Sequence, residues 1–248
     1  MDEEATLVRR ARAAFARRAA TPNGLPDLAH LGLFSETPHG PVQRDEALLL
    51  YSLVRVIRPR TIVEIGFQYG RSSLNFLKAL DDDGRLYSFD VDPECERRAR
   101  EKFGDDPRFA FRLCSQDAIT SDYIDGRQAD LVFLDASHDL ELNQRTFERL
   151  LPLISDRGIV AVHDTGTVPR ELVPSGHWWL ESEQGWVGDE REVLPDERTF
   201  VNWIVEQNAG FAEIHLHSQR TLRLGLTLIQ RSAPLARPQS APSPAGAR

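Results

Sequence analysis

Cysteine and lysine are both scarce in this chain, positive charge is in deficit, and no long apolar run occurs. The two cysteines, Cys95 and Cys114, sit in helix- or strand-like sequence, so no disulfide framework is expected. No stretch approaches the ~20 apolar residues needed to span a bilayer. No secretory signal is present either, so the expectation is a cytoplasmic protein without a membrane partner. The formal net charge of −8 argues against nucleic acid as a partner, because phosphate binding wants clustered Lys and Arg. Lys78 and Lys102 are the only lysines; the other basic residues are arginines, a composition that fits a GC-rich bacterial genome. No internal repeat is found.

What is present suits one α/β domain with additions: 248 residues, 41% of them hydrophobic. Residues 5–20 read as an amphipathic basic helix, packed on the domain or on a second copy in a homodimer. Asp2, Glu3 and Glu4 speak against a transit peptide. Residues 21–42 read as loop. Residues 44–57 read as a helix with Ala47, Leu50, Tyr51, Val54 and Ile57 on one stripe. Strands are expected at 61–65, 85–91, 109–113, 129–134 and 158–162, with helices after Gly70, over 93–103 and over 140–153. This alternation predicts a doubly wound, mostly parallel α/β sheet. A helix over 197–208 and an antiparallel strand pair (211–217 and 222–230) close it. Residues 166–198 break the rhythm with Pro169, Pro174, Pro195, Trp178, Trp179 and Trp186, and read as a structureless lid over a pocket. Residues 232–248 are rich in Pro, Ala and Ser and read as a disordered tail. The domain therefore runs over 44–231.

The stretch Thr61–Ser73, TIVEIGFQYGRSS, organises the rest. A β-branched run ends at Gly66, Gly66 and Gly70 bracket a tight turn, and a helix opens at Ser72. Glycine lets backbone N–H groups approach a ligand, and a helix N-terminus favours negative charge. Glu64 alters that logic: it would repel a pyrophosphate but can accept from an ammonium group. The spacing is E-x-G-x-x-x-G, not the dinucleotide G-x-G-x-x-G.

In open α/β sheets ligands lie outside the carboxyl ends of the strands, and there the polar residues of this chain collect. The first end carries Glu64, Gly66 and Gly70, the second Asp90, the third Ser115-Gln116-Asp117, the fourth Asp135 and His138, the fifth His163-Asp164. Asp90 can accept from both ribose hydroxyls, while Asp92-Pro93 starts the next helix. That implies an adenosine ligand without choosing between NAD and S-adenosylmethionine (SAM). Two carboxylates at adjacent strand ends, Asp135 and Asp164, suit a hard divalent cation. His138 has the unperturbed pKa of a general base near neutrality. His217 and His39 are weaker candidates.

The glycine turn resembles motif I of class I SAM-dependent methyltransferases, and more closely that of the small O-methyltransferases of the catechol type. Ser115-Gln116-Asp117 resembles the stretch that contacts adenine in those enzymes. LDASHDLE at 134–141 with VHDT at 162–165 is similar to the bacterial branch that includes macrocin- and cephalosporin-tailoring relatives. The resemblance implies a Rossmann-like seven-stranded sheet and SAM as cofactor, held by Glu64, Gly66, Gly70, Ser72, Asp90, Ser115, Gln116 and Asp135. It implies Asp135 and Asp164 at the metal positions, with Mg²⁺ or another divalent cation, and His138 in place of the catalytic lysine. The acceptor would be a hydroxylated small molecule of natural-product or sugar type. Asp164-Thr165 departs from the family's paired ligands, and His163 is an alternative ligand. Two other functions stay open: an NAD-binding oxidoreductase, and a SAM-fold protein that transfers no methyl group.

Overall fold

The computed structural model describes residues 42, 44–166, 168–169, 186–188, 192–207, 210–216 and 225–231. The expected N-terminal helix, His39, Trp178, Trp179, His217 and the tail lie outside these residues, as does the side chain of Trp186.

Helix α1 (Arg44–Ile57) buries Ala47, Leu50, Tyr51 and Val54, the stripe its 3.6-residue spacing predicts. It stops where Arg58 turns left-handed (φ 50) and donates its N–H to the Val54 carbonyl at 2.9 Å, just before Pro59. Then come β1 (Thr61–Ile65), α2 (Arg71–Ala79), β2 (Arg85–Asp90), α3 (Pro93–Phe103), β3 (Phe109–Leu113), β4 (Ala129–Leu134), α4 (Leu140–Leu150) and β5 (Ile154–His163). Two short 3₁₀ turns, Gln116–Ala118 and Ser121–Ile124, join β3 to β4, and a third, Leu151–Leu153, follows α4. After β6 (Val168–Pro169), β7 (Trp186–Gly188) and β8 (Glu192–Pro195), the unit closes with α5 (Asp196–Gln207), β9 (Phe211–Leu216) and β10 (Leu226–Arg231).

The main sheet has seven strands in the order β3-β2-β1-β4-β5-β10-β9. Neighbours from β3 to β5 run parallel, and β10 runs antiparallel to both β5 and β9. This is the doubly wound sheet with a terminal antiparallel pair. Strand periodicity sends alternate residues to opposite faces. Ile62, Leu86, Leu131, Phe133, Ile159 and Ala161 pack with α1 and α2. Val63, Ile65, Tyr87, Phe89, Val132, Val160 and Val162 pack with Phe147 and Leu150 of α4 and with Phe200, Val201 and Ile204 of α5. Each fully buried aromatic or branched side chain contributes about 1.5–3 kcal/mol by leaving water, and the sheet is therefore covered on both faces.

Two expectations are corrected here. Strand β5 extends to Ile154 and His163, beyond 158–162. It lies between two partners, pairing Ile154 with Ala129 of β4 and His163 with Leu226 of β10, with an irregularity opposite the Ala129–Leu131 step. The segment 166–198 is not structureless, because β6, β8 and β7 form a small antiparallel sheet of their own.

Candidate active site at the strand ends

The loop after β1 is built on one glycine and one carboxylate. Gly66 has φ +98, and a Cβ there would stand 2.0 Å from the Asp135 carbonyl oxygen. The backbones leaving β1 and β4 touch only because this residue has no side chain. Asp90 holds the same loop from the β2 side. Its Oδ2 accepts from the N–H groups of Phe67 at 3.0 Å and Gln68 at 3.2 Å, and its Oδ1 accepts from Asp92 N–H at 3.0 Å. Burial alone would raise the Asp90 pKa, but these three donors outweigh it and lower it from the usual carboxylate value. Asp92 meanwhile accepts from Glu94 N–H and caps α3, so the two acids divide the roles. Gly70 (φ +69) is the N-cap of α2.

Glu64 lies beneath this loop rather than on the open rim. It is fully buried on the α2 side of β1, where Oε2 accepts from Ser73 Oγ and from Ser88 Oγ at 2.5 Å. Its Oε1 is buried without a hydrogen-bond partner. Burial pushes its pKa up to about 7 despite the hydroxyls of Ser72, Ser73 and Ser88. Ser72 is buried beside it. Ser115 is exposed and donates to Asp117 Oδ1 at 2.6 Å. Gln116 differs from its expected orientation: its side-chain N–H₂ turns inward to Asn143 Oδ1 at 2.8 Å and Thr146 Oγ1 at 2.9 Å. The 3₁₀ turn buries that side chain against α4, so its amide donors fasten the turn instead of facing a ligand. Val91 and Leu113, both large, apolar and exposed, follow Asp90 and precede Ser115. They form an exposed apolar surface beside Asp90, with which Leu113 pairs across the sheet.

The fourth and fifth strand ends meet at His163. Its Nδ1 lies 3.1 Å from Asp135 Oδ1 and 2.9 Å from Asp164 Oδ1, and its Nε2 lies 3.0 Å from Glu46 Oε2 on α1. Burial would lower the pKa of this imidazole, but Asp164 and Asp135 hold it well above the usual histidine value. Burial raises the Asp135 pKa against the pull of His163, whereas for Asp164 the His163 charge outweighs burial and the net shift is downward. Asp164 has φ 59, a left-handed backbone that Asp tolerates better than most residues. Its buried Oδ1 accepts no properly aligned hydrogen bond. Thr165 is turned away: its Oγ1 accepts from Thr227 Oγ1 of β10 at 2.7 Å, which in turn pairs with His215 Nδ1 of β9 at 2.7 Å.

This arrangement fits a divalent cation. One donor atom from each of Asp135, His163 and Asp164 lies within 4.8 Å of the other two. Donors about 2.1 Å from a shared octahedral ion stand about 3 Å apart, close to the 2.9 and 3.1 Å found here. A second carboxylate on the remote ring nitrogen, as Glu46 supplies, is the usual support of a ligating histidine. With one imidazole in the set, Mn²⁺, Fe²⁺ or Zn²⁺ suits it better than Mg²⁺.

His138 stands on the same rim. Its side chain is 65% exposed, and Nδ1 is hydrogen-bonded to Oε1 of Glu197, whose side chain is 7% exposed. Glu197 and Glu46 were not legible as site residues. Each is an acid on an amphipathic helix, and nothing local distinguishes it from a solvated one.

Residues 63–165 match the model of a methyltransferase domain. The chain is 32% identical over 128 residues to a putative caffeoyl-CoA O-methyltransferase of Arabidopsis thaliana, covering 49% of this chain and 53% of that protein. It is 42% identical over 78 residues to ribosomal RNA small subunit methyltransferase H of Thioalkalivibrio sulfidiphilus, covering 30% of this chain and 25% of that protein. The chain thus spans from a quarter to about half of the length of these curated relatives. Among solved structures, an O-methyltransferase of Bacillus cereus in complex with SAH superposes with a TM-score of 0.57 at 19% identity, covering 82% of this chain and 86% of that one. The fold is that of class I methyltransferases, as the glycine turn and strand ends suggest.

Proposed function

We propose that this protein is a SAM-dependent O-methyltransferase acting on a hydroxyl group of a small molecule. The observation that carries this reading is a single rim. The Asp90-clamped glycine turn leads directly, through the Gly66–Asp135 contact, to Asp135, Asp164 and His138.

SAM, when bound, supplies a methyl group on a positively charged sulfur. On this chain the Gly66–Ser72 turn receives its amino-acid part, with the orphaned Glu64 Oε1 below it as a latent acceptor. Asp90 accepts from the ribose, and Val91, Leu113 and Ser115 border the adenine. Asp135 closes the pocket between the first and fourth strands. Asp135, His163 and Asp164 would hold a divalent cation, which lowers the pKa of a hydroxyl bound to it. His138 presents an exposed ring nitrogen to the acceptor hydroxyl and takes its proton. The chain's contribution is positioning and charge placement more than covalent chemistry.

A cytoplasmic location, a homodimer through residues 5–20 and a lid over 166–198 complete the proposal. The acceptor is of natural-product or sugar type; the acidic net charge disfavours an RNA acceptor. The test is incubation with methyl-labelled SAM and a panel of phenols, sugars, macrolides and ribosomal RNA. The expected result is label in a methyl ether of a small molecule. Label in RNA, or SAM binding with no transfer to any acceptor, would sink the proposal. So would calorimetry showing NAD bound and SAM ignored.

A further inference from the structure

The rim contains a carboxylate that the steps above leave idle. Glu197 occupies the first turn of α5, immediately after β8, and only 5% of it is exposed. A surface ion pair is held loosely and contributes little. This one is held firmly. The next residue, Arg198, is also buried and donates from Nε to the Thr165 carbonyl at 2.7 Å, which pins the start of α5 to the end of β5. From that anchored turn Glu197 Oε1 meets Nδ1 of His138, across 59 residues of sequence.

Each imidazole nitrogen has one role. A carboxylate acceptor at Nδ1 places a proton there and leaves the Nε2 lone pair outward, on a ring that is largely exposed. We infer that Glu197 is the positioning residue for His138, fixing its tautomer and ring orientation so that Nε2 meets the acceptor hydroxyl. This rests on the methyl-transfer reading, but its geometry stands apart from it. In the step, the acceptor oxygen forms its bond to the methyl carbon as the carbon–sulfur bond breaks and its electron pair goes to sulfur. The hydroxyl proton passes to Nε2, and the resulting imidazolium lies against the Glu197 carboxylate until it gives a proton to water.

The charges facing His138 are Glu197 from α5, Asp164 from the end of β5 and Asp135 from the end of β4. Glu197 has the largest effect, and together they raise the His138 pKa to about 9 against the opposing effect of burial. A base with a raised pKa is protonated below it, so turnover should climb with pH up to about 9.

The experiment compares Glu197→Gln and Glu197→Asp with wild type. Catechol and the wider phenol panel serve as acceptors, SAH affinity is measured by calorimetry, and His138 is followed by ¹⁵N NMR. Glu197→Gln should keep SAH affinity within twofold, lower the plateau kcat at least tenfold with little change in KM, and move the rising limb of kcat down by a pH unit or more. Glu197→Asp should recover part of kcat. The NMR arm needs no turnover: wild-type His138 should carry its neutral-form proton on Nδ1, and its titration should fall in Glu197→Gln. If wild type transfers no methyl group, the functional proposal fails while the NMR result still decides this one. An unmoved His138 titration, a neutral form protonated on Nε2, or a loss expressed wholly in SAH affinity overturns it.

Discussion

At the scale of single residues, Asp90 and Glu64 are both acids at the glycine turn, with opposite prospects. Asp90 is half-buried and served by three backbone N–H groups, so it stays ionised and remains able to accept from a ligand. Asp90→Ala should weaken SAH binding by roughly 1–3 kcal/mol, about five- to 150-fold. Calorimetry measures it, and unchanged affinity would remove Asp90 from the cofactor site. Glu64 is fully buried with a pKa of about 7. A carboxyl whose folded-state pKa lies above its unfolded value favours the folded state fully at low pH, and this stability is lost as pH rises through the folded value. The unliganded protein should therefore lose on the order of 3 kcal/mol between pH 4.5 and 7 from this residue. Glu64→Gln should flatten that decline, and denaturant melts at pH 5 and pH 8 give the comparison. A decline as steep in the variant would assign it to other groups.

At the scale of elements, the sheet was legible and the cross-element partners were not. Strands β1 and β4 are short, β-branched or apolar runs closed by Gly66 and Asp135, so their position can be seen in the sequence. Asp135 directly follows β4 and Asp164 directly follows β5, whereas the role expected of His138 comes from the resemblance to the catechol-type enzymes. Glu46 is legible by neither route, because its partner His163 is 117 residues away and the pairing depends on how α1 crosses the sheet. Gln116 lies in the expected loop but its side chain points inward, since the 3₁₀ turn sets the direction of its amide. The small β6-β8-β7 sheet is not legible in the sequence because its strands are two to four residues long, too short for any alternation to show. The role of α1 is directly testable. Glu46→Gln preserves the shape of the side chain but removes the carboxylate behind His163. Mn²⁺ affinity, followed by calorimetry after EDTA treatment, should fall about 10- to 100-fold. Equal affinity in the variant would detach α1 from the cation site.

At the scale of the whole molecule, ligand and fold are linked. The proposed ligand site draws on the ends of five strands of a sheet covered on both faces, so a ligand there bridges parts of the chain that separate on unfolding. SAH at a hundred times its dissociation constant should stabilise the protein by about 2.7 kcal/mol, seen as a rise in melting temperature. NAD at the same concentration should produce none. A rise with NAD and none with SAH would point to the oxidoreductase alternative. No described helix is long and apolar enough to cross a membrane.

The threonine pair between β5 and β10 reaches further than its size suggests. The Thr227 hydroxyl lies 2.7 Å from both Thr165 Oγ1 and His215 Nδ1, so the outermost strand is tied through β10 to the end of β5. Replacing His215 would release Thr227 to reorient and, with it, the residue that follows Asp164. A mutational library sorted on product formation alone would then flag an outlying histidine that no acceptor ever meets.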